Sequence, residues 1–144
     1  MLNKLIELVR ENAGDLITNN ENITLENKEQ AIVECAQTII TNLKKVFSSG
    51  NIAGLTELIK SNNITADNKI VSDIITTLSV TYTNKLSINE TEAKRISTHL
   101  IPTVLTQLIS KTNNPNDNTF HVQTILKEIG GGGLAGMLGG FFKF

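Results

Sequence analysis

Apolar residues return every three or four positions along most of this chain, and that period leaves little room for anything but α-helices. Leu2, Leu5, Ile6, Val9, Ala13, Leu16 and Ile17 share one face, which predicts a first helix over residues 2–18 despite Gly14. Ile32, Cys35, Ala36, Ile39, Ile40, Leu43, Val46 and Phe47 make a second stripe, stopped by Ser48-Ser-Gly50. Asn51 is placed to cap a short third helix carrying Ile52, Leu55, Leu58 and Ile59. Ile70, Val71, Ile74, Ile75, Leu78, Tyr82 and Leu86 define a fourth. Its β-branched residues make a strand over 74–83 the competing reading, and the period decides for helix.

The last part of the helical body carries two local signals. Asn89-Glu-Thr-Glu92 has the form of a capping box, with Glu92 reaching back to the cap. The stripe Ala93, Ile96, Leu100, Ile101, Val104, Leu105, Leu108 and Ile109 then runs straight through Pro102. A proline inside a helix costs about 3 kcal/mol, so two segments are expected, the second starting near Pro102. Asn113 to Asn118 reads as a loop, and Phe120, Val122, Ile125, Leu126 and Ile129 as a last short helix. Asn22-Ile-Thr-Leu-Glu-Asn-Lys28 and Asn63-Ile-Thr-Ala-Asp-Asn-Lys69 repeat a motif that reads as a helix entry in both places. The expected fold is therefore all-α: a compact bundle of about six amphipathic helices in residues 1–129, followed by a Gly-rich apolar tail, 130–144.

Composition removes several function classes. The net charge is -1 and the lysines are thinly spread, which gives no basic patch for a phosphate backbone. With no Trp and one Tyr there is no aromatic platform for stacking bases, so nucleic acid is not an expected partner. Cys35, the single cysteine, has no His or basic neighbour and reads as a packed thiol. Glu7 and Arg10 interrupt what a secretory signal would need as its apolar run, so the expected address is cytoplasmic.

Catalytic or metal-binding machinery is not evident. His99 reads as a helix-edge residue, and His121 stands at a helix start without a partner. Asp117 is the one charged group of the 113–118 loop, which lacks the closing Glu of a calcium loop. No phosphate-cradling glycine loop is present, since Gly130 to Gly133 follow a helix and lead into apolar residues. The expectation is a protein that is not an enzyme, with no cofactor and no metal.

The tail is where a special role is expected. Gly132, Gly136 and Gly140 recur at four-residue intervals, the small-residue spacing that lets a second backbone come close. Leu138, Phe141, Phe142 and Phe144 supply apolar anchors. Seven glycines in fifteen residues would cost a lone helix about 7 kcal/mol relative to alanine, so order there requires a packing surface. A fully helical tail would reach only about 22 Å, short of a hydrocarbon layer of about 30 Å. Four readings remain open: a tail folded back on its own domain, docking to a second copy or another protein, insertion at a membrane surface, and a lid over an apolar ligand or lipid.

The run Leu100 to Phe120, together with Glu11-Asn-Ala-Gly-Asp15 at the end of the opening helix, resembles a family of bacterial proteins related to YidB. The resemblance implies a small α-helical protein with a Gly-rich apolar C-terminal region and no accepted enzymatic activity. It carries no catalytic motif over to any residue of this chain.

Overall fold

A computed structural model describes residues 2–60 and 64–113 of the chain. Within them the protein is all-α, built from α1 (Leu2–Asn12), a π-helical turn (Gly14–Thr18), α2 (Leu25–Ser48), α3 (Ile52–Lys60), α4 (Lys69–Leu86) and α5 (Glu90–Asn113). The strand alternative for 74–83 is thereby settled in favour of helix. The loop over 113–118 beyond Asn113, the helix over 120–129 and the whole tail lie outside the described residues.

The first helix is shorter than its stripe predicts. α1 ends at Asn12, and the chain then widens into a π turn in which Ile17 and Thr18 both donate to the Ala13 carbonyl, at 2.8 and 3.1 Å, and Asn19 donates to Gly14 at 2.7 Å. Glycine is a poor helix former, so the regular hydrogen-bond ladder is weakest where Gly14 sits. The widened turn still delivers Ala13 and Ile17 to the core, both with no exposed surface. Asn20 closes the segment: its amide donates to the Leu16 carbonyl at 2.9 Å, and its oxygen accepts from the Asn22 N–H at 2.8 Å.

Both copies of the repeated motif do open helices, but from different residues. Thr24 caps α2 by accepting from the Asn27 N–H, whereas Asn68 caps α4 by accepting from the N–H groups of Ile70 and Val71. The helix thus starts three positions later in the second copy. α2 ends with Gly50 at a φ of 84°, a left-handed conformation that suits a residue without a Cβ. Asn51 then accepts from the Gly54 N–H at 3.1 Å, as its place ahead of α3 predicts.

At α5 the expectation of two segments is overturned. Glu90–Asn113 is one helix with Pro102 inside it. Pro102 and Thr98 are half-buried, so water can take up the Thr98 carbonyl that the ring leaves without a donor. On the opposite face Ile101, Val104 and Leu105 are buried in line with Ile96 and Leu100, which holds the helix together across the proline. The capping box is also only half formed: Asn89 accepts from the Thr91 N–H at 2.9 Å, but Glu92 turns away to Arg95 and Asn20.

The helices share one core, in which Leu5, Ile17, Ile39, Ile74, Leu78, Tyr82, Ile96, Leu100 and Ile101 are completely or almost completely buried. α4 and α5 form an antiparallel hairpin with the most extensive interhelical contact, and α2 lies against α4. Three polar contacts fix α2 antiparallel to α4: the Tyr82 hydroxyl donates to the Ala31 carbonyl at 2.6 Å, Asn27 donates to the Leu86 carbonyl at 3.2 Å, and Lys85 pairs with Glu34 at 3.4 Å. Across the bundle Asn12 and Gln107 exchange amide hydrogen bonds of 2.8 and 3.1 Å, tying α1 to α5. Arg10 joins Glu7 on its own helix to Glu29 on α2.

Candidate functional site

Among the described residues, surface hollows lie at the end of the bundle where α4 turns into α5. Three grooves meet there. One, of about 440 Å³, runs between α4 and the start of α5 over Ile75, Ser79, Val80, Thr83, Glu90 and Lys94. A second, also about 440 Å³, follows the flank of α5 over Glu90, Thr91, Lys94, Arg95, Thr98 and His99. A third, about 460 Å³, lies over the turn itself, bounded by Asn22, Ser87, Ile88, Asn89, Thr91 and Glu92. Glu90 and Lys94 border both of the first two, and Thr91 borders the second and third.

Local structure explains why this corner is open. Ser87 ends α4 in a left-handed conformation, φ 55°, and the Ile88 N–H reaches back to the Tyr82 carbonyl at 3.2 Å. The reversal therefore takes only Ser87, Ile88 and Asn89, and Ile88 is buried beneath it. Glu92 is the electrostatic anchor. Bidentate hydrogen bonds from Arg95, at 2.5 and 3.1 Å, and one from Asn20 at 2.8 Å hold its carboxyl down at about 2, the Arg95 contact being the larger cause.

The α4–α5 groove differs from the other two in presenting a large apolar side chain to water. Val80 is 52% exposed, and Leu25 and Val80 are the large apolar side chains most exposed to water among the described residues. Ile75 lies at its base, nearly buried. The hydroxyl oxygen of Thr83 is shut away from water without a hydrogen-bond partner. Neither Glu90 nor Lys94 takes part in an ion pair among the described residues.

The residues singled out in the sequence fall into three groups. Gly132, Gly136, Leu138, Gly140, Phe141, Phe142 and Phe144 lie outside the described residues, as do Asp117 and His121. His99 is exposed on the flank of α5, a helix-edge position as its spacing predicts. Cys35 is completely buried, and desolvation pushes its thiol far above the ordinary range, so it is a packing residue and not a nucleophile. Tyr82 is raised for the same reason and spends its proton on the Ala31 carbonyl.

The α4–α5 groove was not visible as a site in the sequence. One signal pointed to it: Val80 is a large apolar residue that falls off the buried stripe of α4. Among the described residues no three His, Cys, Asp or Glu side chains stand close enough to hold a metal ion, and no helix is long and apolar enough to cross a membrane. Comparison of the chain with known protein families, curated proteins and solved structures finds no match.

Proposed function

We infer that this chain is a non-catalytic helical interaction protein whose C-terminal segment, 130–144, brings copies of it together. The observation that carries this reading is the composition of that segment: seven glycines among Leu134, Met137, Leu138, Phe141, Phe142 and Phe144, a mixture that needs a surface to cover. The described bundle supports it by contrast. Its apolar stripes are turned inward, and its buried thiol and phenol are engaged in packing and in a backbone hydrogen bond. A role through contact also agrees with the resemblance to YidB-related proteins. A cytoplasmic setting belongs to the same reading.

In this account Gly132, Gly136 and Gly140 admit close approach of a second backbone, and Leu138, Phe141, Phe142 and Phe144 are the anchors. The test is the mass in solution of the full chain against Phe141→Ser/Phe142→Ser. The native protein is expected above its 15.7 kDa monomer mass, and the variant at it, with an unchanged helical circular-dichroism signal. Equal masses for the two proteins would remove the reading.

A further inference from the structure

We propose that the α4–α5 groove is the acceptor for the Phe141–Phe144 segment of a second copy of this chain. The proposal rests on the self-association reading above and names the surface that completes it. Three features of the groove ask for one kind of occupant: Val80 and Ile75 offer an apolar floor, and at the rim Glu90 and Lys94 stand without an ion pair among the described residues.

Phe141-Phe-Lys-Phe144 answers each of them. A phenylalanine ring over Val80 removes from water the one exposed apolar side chain of the groove, and aromatic side chains bury about 150–250 Å² each. Lys143, flanked by aromatic residues, supplies the cation for Glu90. Lys94 can lay its ammonium over the face of a second ring. Gly139 and Gly140 precede the anchors and let the backbone approach the groove closely.

The 27 residues between Asn113 and Phe141 are long enough to reach this groove on either copy, and the self-association reading selects a second one. The groove's rim residues Lys94 and Glu90 stand about 29–35 Å along α5 from Asn113. In a two-fold pair with the α5 helices antiparallel, the Asn113 end of each copy lies beside the groove of the other. Two identical tail-in-groove contacts then close the assembly.

The test uses full-length chains in sedimentation measurements. Val80→Glu destroys the acceptor and keeps the tail; Phe141→Ser/Phe142→Ser destroys the tail and keeps the acceptor. Each alone is expected to be monomeric, with association at least tenfold weaker than that of the native chain. An equimolar mixture is expected to associate more weakly than the native chain but measurably more than either variant alone, because one intact tail then meets one intact groove. Val80→Lys, which fills the groove with the opposite charge, should behave as Val80→Glu does, and circular dichroism checks that both stay helical.

Native-like association of both Val80 variants, or a mixture that associates no more than either variant alone, overturns the groove as acceptor while leaving the self-association reading intact if the tail variant alone is monomeric. A native chain that is itself monomeric overturns both.

Discussion

Two helix breakers meet opposite fates in this bundle. At Gly14 the mild breaker ends α1 and leaves a π turn; at Pro102 the severe one sits inside a 24-residue helix. Intrinsic propensity ranks them the other way, since proline costs about 3 kcal/mol in a helix interior and glycine about 1. What differs is the surroundings. Pro102 has buried neighbours on both sides, Leu100 and Ile101 before it and Val104 and Leu105 after it, all against the same core. Gly14 stands one turn from the end of the apolar run, with an asparagine-rich turn waiting beyond Thr18. A breaker breaks where little is lost by breaking.

The largest test of that comparison removes the burial that carries α5 across its proline. Leu105→Ala, at a side chain 1% exposed, is expected to lower stability by about 2–5 kcal/mol in a denaturant titration. A loss below about 1 kcal/mol would mean that the segment after Pro102 is held by something other than its core face. Pro102→Ala is expected to act in the opposite direction, raising stability by about 1–3 kcal/mol because the backbone is already helical there. Destabilisation by that variant would show that the helix is bent at Pro102 to suit its neighbours.

Gly14→Ala sharpens the other side. A Cβ at Gly14 meets nothing within 4 Å, and its φ is not positive. A gain of about 0.5–1 kcal/mol is expected in thermal or chemical unfolding, with amide exchange over residues 14–18 slowed. A loss would mean that the π turn needs glycine for a reason other than space.

The smallest effect concerns the polar tie between the two regions, where Asn20 at the end of the π turn donates to Glu92 on α5. Glu92 is held at about 2, below its ordinary value of 4.5. Its contribution to stability is therefore complete above pH 4.5 and is lost as pH falls through 2. Glu92→Gln is expected to flatten the stability-pH curve in that window, and an unchanged slope would show that the contact contributes nothing.

The same contrast explains what the sequence disclosed. Periodicity reports burial, so the stripes of α2 and α4 mark both the helix and its core face, and those around Gly14 and Pro102 mark the core face. It reports little about where a ladder fails, which is why it reveals neither the end of α1 at Asn12 nor the continuity of α5 at Pro102. The capping box was half legible for a related reason: Asn89 acts on its own turn, but Glu92 is drawn off by Asn20, a residue 72 positions away. The α4–α5 groove was legible only as one misplaced valine, because a groove is made by two helices and neither Glu90 nor Lys94 is unusual on a helix surface.

Cys35 has a practical consequence. Its sulfur is sealed within α2's core face, with a thiolate form strongly disfavoured. Alkylating reagents should therefore pass it by in the native protein, so that a thiol introduced at Val80 or Lys143 can carry a spin label or fluorophore without first replacing the natural one.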